Sequence, residues 1–180
     1  KHGRMEKIKF LLSLKDCDVN AGIKDDLTIL HHLCLKSDDH VDLIKLAVNA
    51  SNGIAILNAR DHNGATPLYY AVKHGRTNTA RYLLSLKDCN INRCARDGTS
   101  PLMQSIFHDQ FEIAEMLLEK KVDVCTMDHE GNSILHHLCS KDQDNAKFVK
   151  LLVEAPHGIS IINARDSDGA TPILHAGTHG

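Results

Sequence analysis

Tryptophan is absent from this chain, aromatic residues make up only 4% of it, and proline occurs four times in 180 residues. The core must therefore be aliphatic, and at 42% hydrophobic composition there is enough of it for one ordinary domain or one short repeat array. Long apolar runs are also missing. Nothing approaches the ~20 residues a membrane helix needs, so no membrane partner is expected. Charge of one sign is missing too: 21 basic residues face 23 acidic ones, the net charge is −2 and the pI is near 6.7. That balance lacks the basic footprint of a nucleic-acid binder. The opening KHGRMEKIKF has no apolar signal-peptide core and reads as the middle of a helix, so a fragment of a longer protein is expected.

The six cysteines (Cys17, Cys34, Cys89, Cys94, Cys125 and Cys139) are spread too thinly for a disulfide framework. The expectation is a reducing, intracellular compartment, cytoplasmic with the nucleus also open. The sequon Asn49-Ala50-Ser51 would be idle there.

What the chain has in abundance is itself. ILHHLC occurs at Ile29–Cys34 and again at Ile134–Cys139, an offset of 134 − 29 = 105. Aligning 29–75 with 134–180 at that offset gives 26 identities in 47 positions without a gap. KHGR at Lys1 and Lys73, and LLSLKDC at Leu11 and Leu83, share an offset of 72. Thr28-Ile-Leu, Thr66-Pro-Leu, Ser100-Pro-Leu, Ser133-Ile-Leu and Thr171-Pro-Ile then step by 38, 34, 33 and 38 residues. One unit of about 33 residues, lengthened by five in two copies, explains every offset.

Each unit follows one plan. A turn such as Asp61-His-Asn-Gly64 or Asp128-His-Glu-Gly131 opens it. Thr or Ser supplies a helix cap, with Pro at the first helical position in three of five copies. A short apolar helix ends at a residue such as Gly75. A second helix carries pairs one turn apart, Leu43/Ile44 with Ala47/Val48, or Ile113/Ala114 with Leu117/Leu118. Neither helix buries its stripe alone, so units must stack.

ATPLYYAVKHG and TSPLMQSIFHD resemble the T-P-L-H-x-A signature of ankyrin repeats, and CDVNA at Cys17–Ala21 resembles that family's finger. The resemblance covers the whole chain. It implies an all-α ankyrin-repeat solenoid of stacked helix-turn-helix units with β-turn fingers, as a single domain 1–180. The repeats would be 1–22 (partial), 23–60, 61–94, 95–127, 128–165 and 166–180 (partial). Ile29 and Ile134 depart from the signature proline, and Tyr69 and Met103 from its histidine. Ends that break inside a repeat are expected to fray or self-associate.

The paired ILHHLC motifs raise the question of metal or catalysis. In register, His31 and His136 fall on the signature histidine, which the resemblance gives a structural job, tying the helix start to neighbouring backbone. Cys34 and Cys139 fall on a small-residue position and can bury as hydrophobes. A zinc site needs three or four ligands, yet the twin motif lies three repeats away, roughly 30 Å at ~10 Å per helix layer. No metal and no cofactor are expected. No G-x-S-x-G, Gly-rich phosphate loop or H-E-x-x-H is present, so no enzyme is expected.

Function is instead expected on a binding surface. The resemblance puts partner proteins on finger tips and the exposed side of first helices. The candidates are His62, Asn63, Tyr70, Lys73 and His74; Arg96, Asp97, Gln104, Phe107 and His108; and His129, Glu130, Asn132 and His137. Tyr70 and Phe107 would be anchors, with the alternative that Phe107 tucks under the next finger. The 13 histidines give this ridge a possible pH response between about 6 and 7.5. The inserts NASNGIAILNARD and EAPHGISIINARD lengthen two repeats, and their G-I-x-I cores are expected to pack down. Such long repeats resemble those of IκB-type inhibitors of Rel transcription factors. A transcription-factor or signalling partner, and a structural spacer in a longer array, are the other readings. Leu12 before Asn20 and Leu84 before Asn92 resemble sites of the asparaginyl hydroxylase that modifies ankyrin proteins.

Overall fold

The computed structural model describes residues 2–14, 17–19, 24–36, 38–50, 53–142 and 145–178. The chain forms two compact units, Lys1–Asn90 and Ile91–Gly180.

The first unit contains α1 (His2–Leu12), α2 (Ile29–Leu35), α3 (Val41–Asn49), α4 (Gly53–Leu57), α5 (Pro67–Lys73) and α6 (Thr77–Ser85). First helices pack on first helices, α2 on α5, and second helices on second helices, α1 on α3 and α3 on α6. The second unit repeats the scheme with α7 (Pro101–Phe107), α8 (Phe111–Glu119), α9 (Ile134–Cys139), α10 (Ala146–Glu154) and α11 (Pro172–Thr178). There α7 packs on α8 and α9, and α9 on α11. Among the described residues the only extended pairing is an isolated bridge between Met127 and Ser133.

The caps anticipated from sequence form. Thr66 is extended, its hydroxyl oxygen accepts from the Tyr69 N–H at 3.2 Å, and Pro67 follows it. Ser100 does the same for Met103 at 3.2 Å. Gly64, Gly98, Gly131 and Gly169 have φ between 75° and 82°, as the finger turns require, and Gly75 ends α5 with φ 63°. The second-helix stripes are buried: Leu43, Ile44, Ala47 and Val48 on α3, and Ile113, Ala114 and Leu117 on α8.

Among the described residues, the second helices α3, α6, α8 and α10 have no side-chain hydrogen bond from their own N-cap, and α6 borrows a cap from the preceding repeat. The Asp39 carboxylate accepts from the backbone N–H groups of Asn78 (2.7 Å) and Thr79 (3.0 Å) and from the Thr79 hydroxyl (2.5 Å). It satisfies exposed helix-end donors and sits favourably at the positive end of the helix dipole.

The inserts pack down only in part. Ile56 and Leu57 are buried in the first, and Ile161 in the second, but Ile54 and Ile159 stand out at 62% and 74% exposure. The reason is local conformation: these segments are one turn of helix, not strand, so the two isoleucines of G-I-x-I do not share a face. Gly158 is required by close approach, since a Cβ there would lie 1.8 Å from the Leu152 carbonyl oxygen.

Candidate functional site

The two ILHHLC motifs have the same geometry. His31 and His136 are both fully buried. The backbone N–H of Thr28 donates to Nδ1 of His31 at 3.1 Å, and that of Ser133 to Nδ1 of His136 at 3.0 Å. Nδ1 is therefore the acceptor, and Nε2 carries the hydrogen. Nε2 donates to the carbonyl of Ala65 in one case and Ala170 in the other, both at 3.2 Å. Each histidine thus takes the Glu/Gln position of a capping box and ties its helix start to the next finger. Burial pushes the His31 pKa below the usual histidine range, which keeps the ring neutral. Cys34 is buried and its thiol is pushed far up by desolvation.

Three fingers also carry a carboxylate clamp that sequence reasoning missed. Asp61 Oδ1 accepts from the N–H groups of Asn63 (3.0 Å) and Ala65 (2.8 Å), while Oδ2 accepts from the Tyr70 hydroxyl (2.6 Å). Asp128 repeats this with Glu130 N–H (3.0 Å), Asn132 N–H (2.9 Å) and His137 Nε2 (2.8 Å). Asp166 repeats it with Asp168 (3.0 Å), Ala170 (2.8 Å) and His175 Nε2 (2.8 Å). The signal was the Asp nine residues before Tyr or His. It was not legible because the pairing crosses from finger to helix. The bond from His175 holds the Asp166 carboxyl below its ordinary range.

His136, Asp166 and His175 offer ligand atoms within 4.8 Å of one another, a cluster the sequence reading did not anticipate. The hydrogen bonds decide its chemistry. His136 spends Nδ1 on a backbone N–H and Nε2 on a carbonyl. Only the Asp166 and His175 atoms remain, short of the three or four ligands of a zinc centre. At the equivalent place in the first unit stands Tyr70.

The candidate binding residues separate by exposure. His62 and Asn63 are exposed in the first unit, and Arg96, Asp97, His108, His129 and Glu130 in the second. Tyr70, Lys73, His74, Phe107 and His137 are half-buried. Gln104 and Asn132 are corrections: at 5% and 7% exposure they do not present their side chains to a partner. In the fourth repeat the clamp position holds Ala95, so no carboxylate draws Gln104 outward. Its Nε2 turns back to the Thr99 hydroxyl at 3.3 Å. Asn132 folds under its own finger, with Nδ2 on Glu130 Oε2 at 3.3 Å.

Tyr70 is fixed from two sides. Its hydroxyl is bonded to Asp61 and its ring stacks on His74, with centroids 6.2 Å apart and planes within 5°. Desolvation and then the Asp61 bond push its pKa up to about 12. Phe107 meets the ring of His137, on helix α9 and not in a finger, edge-on at 4.4 Å. His137 has its pKa lowered by burial, against the opposing pull of Asp128. Of the two asparagines with hydroxylase-like spacing, Asn20 lies outside the described residues. Asn92 is exposed, and its Oδ1 accepts from the Asp123 N–H at 2.8 Å.

A family model of ankyrin repeats in three copies matches residues 1–93, 60–128 and 102–180. Similar curated proteins include an ankyrin repeat protein of Acanthamoeba polyphaga mimivirus, 27% identical over 49% of this chain and 11% of that protein. The ankyrin repeat protein nuc-2 of Neurospora crassa is 27% identical over 94% of this chain and 15% of its own length. The NF-kappa-B p105 subunit of Rattus norvegicus is 25% identical over 94% of this chain and 18% of its own. The chain thus spans a fifth or less of these relatives. With repeat, cap and finger geometry agreeing with a model that matches it from end to end, the chain belongs to the ankyrin-repeat family.

Proposed function

We propose that this chain is an intracellular protein–protein interaction module, holding a partner protein on finger tips and first-helix faces and contributing no chemistry of its own. Ankyrin repeats generally serve such interactions, which is the coarse part of this reading. The observation that carries the finer part is Tyr70. It is an amphipathic aromatic, half-exposed, already locked by Asp61 and His74, so that binding costs it little conformational entropy. The exposed His62 and Asn63 would supply polar contacts in the first unit, and Arg96, Asp97, His108, His129 and Glu130 in the second.

The test is affinity capture from a cell lysate. The chain would be compared with a Tyr70→Ala/Phe107→Ala variant and with Asp42→Ala/Lys150→Ala on second helices, all checked for fold. A protein retained by the first and third but lost by the second supports the reading. Equal retention by all three moves the site elsewhere, and no retention by any favours a spacer role. Similarity to the NF-kappa-B p105 subunit supports one second reading, an inhibitor or adaptor that binds a transcription factor. The identity of the retained protein decides it.

A further inference from the structure

The internal duplication places two copies of one surface side by side for comparison. On a first helix, the fourth, seventh and eighth residues after the cap lie on one strip. In the first unit these are His32 and Leu35 on α2 with Lys36 at its C-cap, and Tyr70 and Lys73 on α5 with His74 at its C-cap. Because α2 packs on α5, the two strips run together. In the second unit the counterpart of Lys36 is Lys141, 105 residues on.

The two copies differ in how far they satisfy themselves. Lys141 is bound by the Asp109 carboxylate at 2.6 Å, and the counterparts of Tyr70 and Lys73 are His175, bonded to Asp166, and Thr178. The lysine of that copy is paired within the chain. Lys36 is exposed and Lys73 half-buried, and neither has a carboxylate partner among the described residues. Nearby acids are already engaged. Asp61 spends both oxygens on Asn63, Ala65 and Tyr70. Asp39 spends both on the start of α6. Asp38 lies 3.9 Å from His40. The strip therefore carries two lysines in register with the stacked pair of Tyr70 and His74.

We infer that this strip of the first unit is a docking site for an acidic peptide segment. Carboxylates would meet Lys36 and Lys73, and an apolar side chain would pack against the Tyr70–His74 pair. The inference rests on the interaction-module reading above and names the class of partner for it. Such a contact is steered by charge and is salt-sensitive.

The test uses a fluorescein-labelled octapeptide of six glutamates and two leucines, read by anisotropy at low salt. An equal-length peptide with lysine for glutamate, and a labelled single-stranded oligonucleotide, serve as controls. The full chain should bind the acidic peptide and not the basic one. Lys36→Glu/Lys73→Glu should weaken binding about tenfold or more, since reversing two charges turns each attraction into repulsion. Lys141→Glu should leave it unchanged. All variants should melt within a few degrees of the parent. No binding by the parent overturns the inference, as does equal binding by Lys36→Glu/Lys73→Glu. Preferential binding of the oligonucleotide through the same lysines also overturns it, in favour of nucleic acid. A negative peptide result beside a lysate partner lost on Tyr70→Ala/Phe107→Ala would remove the acidic class while leaving the module reading standing.

Discussion

Replacing His31 by leucine tests whether the paired histidines are architecture. Leucine nearly preserves volume and keeps the site apolar. It strands the buried Thr28 N–H, which now meets the imidazole at 3.1 Å, and removes one of two bonds to the Ala65 carbonyl, which keeps the Asp61 N–H at 3.0 Å. Each stranded buried group costs about 1–3 kcal/mol. The added apolar burial offsets about 1–2 kcal/mol. With about 0.5–1.5 kcal/mol more for the lost bond to the carbonyl, the net loss should be about 1–3 kcal/mol, and similar for His136→Leu, which strands the Ser133 N–H and leaves the Ala170 carbonyl with the Asp166 N–H alone. Urea unfolding followed by circular dichroism would show it. With a slope of about 2 kcal/mol/M, the midpoint of the affected transition should fall by about 0.5–1.5 M. His129→Leu, on an exposed finger tip, should stay within about 0.5 kcal/mol. A His31→Leu midpoint equal to the parent's would refute the reasoning. So would a parent whose midpoint falls with chelator and recovers with zinc.

Acid should act through the same residue. The folded His31 pKa lies below the unfolded value of 6.5, so as pH falls the unfolded chain takes up a proton first. Stability is then fully present above about pH 7.5 and is lost as pH falls through 6.5 toward the folded pKa, by at most about 1.4 kcal/mol per pH unit for this group. His31→Leu should flatten that slope in a pH series of urea melts. Asp39→Ala removes the borrowed cap of α6 and should cost about 1–2 kcal/mol by the same melts. Gly158→Ala should cost well over about 2 kcal/mol, because its Cβ meets backbone. Gly169→Ala, at φ +79° with open space around it, should cost only about 1–2 kcal/mol of backbone strain. Iodoacetamide mapping by mass spectrometry should leave Cys34 and Cys89 unmodified in the folded chain. Desolvation pushes the first thiol far up and the second to about 12.

The repeat plan was legible because it rests on local chemistry repeated in phase. Thr66-Pro67 announces a cap, Asp61-His-Asn-Gly64 a turn, and Leu43/Ile44 with Ala47/Val48 a buried stripe. The structural role of His31 was legible through register with the signature. That it works as the third-position partner of a capping box was not, because imidazole there replaces the usual carboxylate. The clamps from Asp61, Asp128 and Asp166 were hidden because their partners lie nine residues on, across a turn and half a helix. The cap from Asp39 was hidden because it crosses nearly forty residues. Gln104 and Asn132 were misjudged for one reason: repeat register says where a side chain starts, and Ala95 and Glu130 decide where it goes.

The proposed partner surface is the fingers and first helices, while the paired histidines His31 and His136 hold the frame. Hydrogen–deuterium exchange of the chain with and without its captured partner tests this most directly. The account predicts added protection in peptides covering 61–75, 95–108 and 128–140, with second helices α3, α6, α8 and α10 unchanged. Protection confined to those second helices, or to the inserts around Ile54 and Ile159, would contradict it.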